Sequence, residues 1–178
     1  PRLAEVVLAC TGEMLVLAGA ATDRAEARQK MDRALASGAA AERFGRMVAG
    51  LGGPEDFMER AGEYLETAPV VRPVFAARPG FISAMDCRAV GMALVAMGGG
   101  RTRADQTIDH AVGMTGFTRI GDPAGPDIPL CMVHARDEAG ADMAAERIRA
   151  AVCIGEERPP QRPVIRDRIT GRTDRGEA

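Results

Sequence analysis

The sequence predicts an α+β protein: a helical segment followed by a compact α/β unit built on an antiparallel or mixed sheet. Three observations carry that expectation. The first 65 or so residues run in helical periods, with capping and stop signals at the breaks. Composition then shifts at Ala68-Pro69 to a β-branched and aromatic run. Beyond it, short strand patterns punctuated by glycine alternate with helical ones.

The 178 residues, 46% of them hydrophobic, suffice for one large domain or two small ones. A net charge of −2 offers no basic face, so no nucleic-acid partner is expected. Aromatic residues are 3% and tryptophan is absent, which leaves the core to Val, Leu, Ile, Met and Ala. Cys10, Cys87, Cys131 and Cys153 lie far apart with no CxxC pair, and free buried thiols in a reducing compartment are expected. The N-terminal residues lack the pattern of a signal peptide. Glu5 and Glu13 interrupt the first apolar run, which argues against a membrane span. Cytoplasm is the expected location. The chain begins at Pro1 already inside a helical pattern, so a piece of a longer polypeptide is expected.

Residues 3–17 carry apolar side chains on nearly every side, the mark of a helix packed on several neighbours, with Gly19 as its stop. Thr22-Asp23 with Glu26 three residues on reads as a capping box. The helix it starts presents Ala27, Met31 and Leu35 on one face and ends at Ser37-Gly38. Residues 39–48 form another helix, with Phe44, Met47 and Val48 as the packing stripe and Arg43 and Arg46 outward. Pro54 is placed to open a helix through Tyr64.

After Pro69, residues 70–75 read as a strand, and prolines at 69, 73 and 79 suit an edge or a linker. Residues 81–85 continue the β reading, and Asp86 can cap a helix over 89–97. Gly98-Gly99-Gly100 ends that helix, because each glycine costs roughly 1 kcal/mol against alanine in a helix interior. Residues 107–113 and 116–120 look like strands joined by a tight turn, and 121–126 is a turn cluster. A buried strand is expected over 128–135 and a helix over 139–154, with Met143, Ile148, Val152 and Ile154 inward. Pro159, Pro160 and Pro163 lead to a last strand at 164–169, and the polar tail from Thr170 is expected to fray.

Few side chains suggest chemistry. Cys131 and His134 superficially offer zinc ligands, but residues three apart on a strand face opposite sides. No metal site is expected. Asp105 and Asp109 fit capping or ion pairs to Arg101 or Arg103 better than paired acid/base work. His110 reads as a structural imidazole. Arginines at 158, 162, 166, 168, 172 and 175 form a basic end diluted by Glu156, Glu157, Asp167 and Asp174, hence a solvated face. No Ser-His-Asp order, Walker loop or GxGxxG is present.

One stretch is distinctive. AMGGGRTRADQTIDHAVG (96–113) followed by IGDPAGPDIPLCMVHA (120–135) closely resembles the C-terminal region of the pyrimidine-nucleoside phosphorylase family, in its bacterial thymidine-phosphorylase branch. Upstream, AAERFGRMVAGLGGPEDF (40–57) and AARPGFISAMDCRAVGMALVAMGGG (76–100) resemble the same region in the same order. The resemblance runs from Pro1 to about Ile169.

It implies the C-terminal part of an enzyme that cleaves thymidine with inorganic phosphate, giving thymine and 2-deoxyribose 1-phosphate. Such enzymes are homodimers with a small helical domain, a large α/β domain and an active site in the cleft between them. By this resemblance residues 1–68 are an incomplete helical segment of the large domain, 69–170 a C-terminal α+β domain and 171–178 a flexible tail. The family's Lys-His-Ser phosphate segment and its Arg, Ser and Lys base site lie N-terminal to the matched region. No catalytic residue is therefore carried over, and no cofactor beyond the co-substrate phosphate is implied. Gly98, Gly99, Gly100, Arg101 and Arg103 resemble a loop on the phosphate side of the cleft that orders on closure. Gly121-Asp122 and Pro129-Leu130 resemble the hairpin of half a lipoyl-type sandwich, with Pro123-Ala124 in place of the usual valine. The turn should change shape while the pairing persists. No lysine stands at its tip, which excludes biotinylation or lipoylation.

Two readings compete. One is the phosphorylase C-terminal part, inactive by itself; the other is a non-catalytic structural or interaction module that folds alone. For the loop, helix-capping and connector roles stand beside a closing one.

Overall fold

The structure, a computed structural model, describes residues 2–169; the predicted tail at 170–178 lies outside them. The chain divides into two units, one of residues 2–59 with 162–169 and one running Arg60–Gln161.

The first unit holds α1 (Arg2–Leu17), α2 (Arg24–Ala36), α3 (Ala39–Gly50) and the start of α4 (Phe57–Tyr64). Gly19 turns the chain out of α1 at φ +66°. The capping box forms: Asp23 accepts from the Glu26 N–H at 2.9 Å, and Glu26 reaches back to the Thr22 N–H at 2.8 Å. Helix contacts are made by small residues. Gly12, Ala27 and Gly45 are the buried positions of α1, α2 and α3. Phe44 and Met47, expected to pack, are exposed, because Gly45 sits against Met58 and turns that face inward. Pro54 does not open α4. The Gly53 N–H still satisfies the Val48 carbonyl at 2.9 Å, so the chain stays in the α3 cap and the helix begins only at Phe57. It kinks at Arg60, where the second unit begins. Residues 164–169 are irregular instead of a strand, and Arg168 pairs with Glu13 at 2.6 Å.

The second unit contains two antiparallel three-stranded sheets. One has the order β1 (Val70–Phe75), β5 (Pro129–Ala135), β3 (Gly113–Thr115). The other has β4 (Pro123–Ala124), β2 (Gly80–Met85), β6 (Val152–Gly155). β1 is an edge strand, which lets Pro73 sit in it without wasting a ladder donor. α5 (Cys87–Leu94) is capped by Asp86, and α6 (Glu138–Ala151) by Asp137. The inner face of α6 is Ala141, Ala144, Ala145 and Ile148, packed with Val74, Ile82, Leu130, Cys131 and Val133. An alanine face lets the helix lie close to the strands, and Ile148 fills the remaining depth.

Three expectations are corrected here. The helix over 139–154 stops at Ala151, whose carbonyl accepts from the Asp86 N–H at 2.8 Å; β-branched Val152 and Ile154 continue as β6 beside β2. Residues 107–112 are loop, and only Gly113–Thr115 pairs. Residues 116–120 form no strand, since Gly116 turns the chain at φ +67° and Thr118 alone reaches the Leu130 carbonyl, at 2.9 Å. Within the turn cluster, Pro123–Ala124 forms β4 and pairs with Gly80 and Phe81. No described helix is long and apolar enough to cross a membrane.

Candidate functional site

The glycine triplet closes α5 through a single π-helical turn, Val95–Gly99. Its glycines are required for different reasons. Gly98 has φ +91°, a conformation that side chains resist. A Cβ on Gly99 would fall 2.4 Å from Leu94 Cδ1, and one on Gly100 would fall 2.8 Å from Val95 Cγ2. Close packing against the helix therefore dictates two of the three.

The loop leaving this turn comes back on itself. The Asp109 N–H donates to the Gly98 carbonyl at 2.9 Å, so the two feet of a twelve-residue loop touch. The crown is held by Gln106, whose carbonyl oxygen accepts from Thr102 N–H (2.8 Å), Thr102 hydroxyl (3.1 Å) and Arg103 N–H (3.2 Å). Arg103 pairs with Asp105, and Arg101 reaches the Ala104 carbonyl at 3.5 Å. Asp105 thus makes one of the ion pairs expected of it. Arg101 is bonded within its own loop and not to the end of α5.

Beside the crown lies an open groove of about 480 Å³. Met92, Val95 and Ala96 supply apolar surface; Thr102, Gln106 and Thr107 supply polar atoms; Arg147 of α6 supplies the one cation among its lining residues. The guanidinium at the groove is thus that of Arg147. A groove of this kind can hold a polar or anionic group against an apolar wall. Its lining residues include no His, Cys, Asp, Glu or Lys.

Asp109 forms an ion pair at the loop's second foot. Its carboxylate accepts from Arg136 Nε at 2.6 Å and Nη2 at 2.8 Å, and also from the Ala111 N–H at 3.0 Å. Arg136 also reaches Glu66 at 2.7 Å. The Arg136 fork holds the Asp109 carboxyl below the usual range, and the two carboxylates hold the guanidinium proton more firmly. The partner expected for Asp109 was Arg101 or Arg103, and the partner found is Arg136. The pairing with Arg136 crosses 27 residues and becomes visible only when β5 returns the chain beside the loop.

The remaining candidates separate. Cys131 is buried, and burial pushes its thiol up to about 11. His134 lies on the other face of β5, with Nε2 2.9 Å from the Thr115 hydroxyl. Cys10, Cys87 and Cys153 are exposed, against the expectation of four buried thiols, because each stands on an outward position of its element. His110 is exposed rather than built into the core. Among the described residues no cluster of three or more His, Cys, Asp or Glu is placed to hold a metal ion.

Residues 81–155 match the family model described as "Pyrimidine nucleoside phosphorylase C-terminal domain". The match takes in the glycine loop, Arg136, Arg147 and nearly all of the strands and helices around them. Over these residues the chain is similar to the C-terminal domain of the pyrimidine nucleoside phosphorylase family.

Proposed function

We propose that this chain is the C-terminal part of a thymidine phosphorylase, a cytoplasmic homodimer that transfers 2-deoxyribose from thymine to inorganic phosphate. The observation carrying this reading is the family match over 81–155, which spans the loop and groove beside Arg147. In this role residues 1–68 belong to a larger α/β domain that supplies the phosphate and base sites. The loop bearing Gly98, Gly99, Gly100, Arg101 and Arg103 flanks the phosphate side of the cleft. Phosphate attacks the anomeric carbon while the C–N bond to the base breaks, and the charge left on the pyrimidine needs cationic stabilisation. None of the described residues is assigned that task.

Phosphate-dependent release of thymine tests the proposal. The 178-residue chain should release none, and the chain extended by its upstream coding sequence should turn over thymidine. An extended chain that binds neither thymidine nor phosphate would falsify the assignment. Preference for uridine would move it to another branch of the same family. In the extended enzyme, Arg101→Ala with Arg103→Ala should raise the phosphate requirement or lower kcat with Tm nearly unchanged. Unaltered kinetics would reduce the loop to a connector.

The second reading, a module that folds alone, is favoured by one observation: the Arg60–Gln161 unit holds its own closed core. A cooperative transition of this unit in a chain that never gains activity on extension would support it.

A further inference from the structure

The geometry points to Arg136 as the positioning residue of the glycine loop: its guanidinium clasps Asp109 at the loop's foot and Glu66 on the segment entering β1, and so sets where Thr102 and Gln106 stand over the groove. The activity half of this inference rests on the phosphorylase reading; the anchoring half does not.

The loop has two feet and one crown, and each is held differently. The first foot is sterically seated, since Gly99 and Gly100 are packed against Leu94 and Val95 with no room for a Cβ. The crown is stapled mainly by Gln106, and its ion pair is open to water, with Arg103 and Asp105 side chains 72% and 64% exposed. Such a pair contributes little. The second foot depends on Asp109, which is 24% exposed and receives two donors from one rigid fork. A bidentate guanidinium fixes direction as well as distance. The Glu66 arm, with that carboxylate 69% exposed, is the weaker one.

Arg136 itself is firmly placed. It follows β5 directly and precedes Asp137, the cap of α6, so its backbone is held between the strand and the helix of the closed core. A guanidinium on such a mount can transmit the position of the core to the loop. The surface Arg103–Asp105 pair, both members of which ride on the crown, has no such mount.

Hydrogen exchange on the 178-residue chain tests the anchoring. Arg136→Ala and Asp109→Asn should each speed exchange of amides 98–111 by about tenfold, the local opening expected when one foot is released. The double variant should be no faster than either single one, because both remove the same clasp. Glu66→Gln should leave the loop close to the parent. Arg136→Lys, which keeps the charge and loses the fork, should restore only part of the protection. Protection in β5 and α6 should be unchanged throughout. Loop exchange at the parent rate in Arg136→Ala overturns the proposal, as does loosening spread evenly over β5 and α6. In the extended enzyme Arg136→Ala should raise KM for phosphate or nucleoside more than it lowers kcat, with Lys giving partial rescue. Absence of any turnover in the extended parent sinks the phosphorylase reading and leaves the exchange result standing; unchanged KM and kcat in an active parent sink the positioning role.

Discussion

The two units use the same local grammar of helices and caps and differ in what their large side chains do. In the Arg60–Gln161 unit, Val74, Ile82, Leu130, Val133 and Ile148 are nearly inaccessible and share one core. In the helical unit the buried positions of α1 to α3 are Gly12, Ala27 and Gly45, while Leu3, Met14, Leu17 and Leu51 are exposed. Leu17 and Leu51 exceed 80% exposure. Helix propensity and capping form helices; they do not by themselves bury apolar area. The difference teaches that a periodic apolar stripe in a sequence promises a partner without naming it.

The sharpest way to break this comparison is to truncate one side chain in each unit. Ile148→Ala leaves a cavity beneath α6 and should cost about 2–5 kcal/mol. Leu17→Ala should stay within about 0.5 kcal/mol, the range of exposed substitutions. Urea denaturation followed by circular dichroism reads both. Equal losses would mean that α1 is covered in solution. The same contrast governs proteolysis: each buried Leu, Val or Ile contributes about 1.5–3 kcal/mol, a large fraction of a domain margin of about 5–15 kcal/mol. Trimming should therefore remove the N-terminal helices first and leave a product beginning between Arg60 and Val70. A first cut inside β5 or α6 would reverse the ranking.

A finer test compares two glycines that share one helical run. Gly91 lies inside α5, where an added Cβ meets nothing within 4 Å. Gly91→Ala should stabilise the unit by about 0.5–1 kcal/mol, through helix propensity and a less flexible unfolded chain. Gly99→Ala drives a Cβ to within 2.4 Å of Leu94 and 3.1 Å of Val112, and should cost about 1–3 kcal/mol as overpacking. Melting of both variants decides whether the triplet is a hinge or a seat. Two alanines tolerated alike would favour the hinge.

Much of this fold was legible in the sequence, and the failures share a cause. Caps at Asp23 and Asp86 were readable because partner and cap lie three residues apart. Strands β1, β2 and β5 were readable because their β-branched runs are bounded by proline and glycine. The end of α6 was not, since Val152 and Ile154 fit the helical stripe and the Asp86 amide that stops it is 65 residues away. The strand expected at 107–113 forms only at its last residue because the loop before it closes on Gly98, and the one expected at 116–120 fails because Gly116 turns the chain. For the candidate site, the glycine triplet and its arginines stood out as a motif. Arg136 and Arg147 did not, because their meaning depends on which elements β5 and α6 approach.

The smallest expected effect lies in the helical unit, in the capping box that opens α2. Glu26 is held at about 2, first by its bond to Lys30 and then by the Thr22 amide and hydroxyl. An ordinary glutamate titrates at about 4.3. Its folded value is therefore depressed, so its contribution is fully present above the unfolded value and lost as pH falls through the folded one. The window runs from roughly pH 4.3 down to about 2. Glu26→Gln removes the charge at every pH. The variant should melt slightly below the parent at pH 7, and the gap should close as both are acidified across that window. Lys30 adds a second strand to the test, because its ammonium also donates to the Ala20 carbonyl and so ties α2 to the turn after α1. Lys30→Met should reproduce the loss at pH 7 and lessen its acid dependence. A gap between parent and Glu26→Gln that is unchanged at pH 2.5 would show that the glutamate acts through packing of its stem, and the capping box would then be no more than a geometric coincidence of the turn.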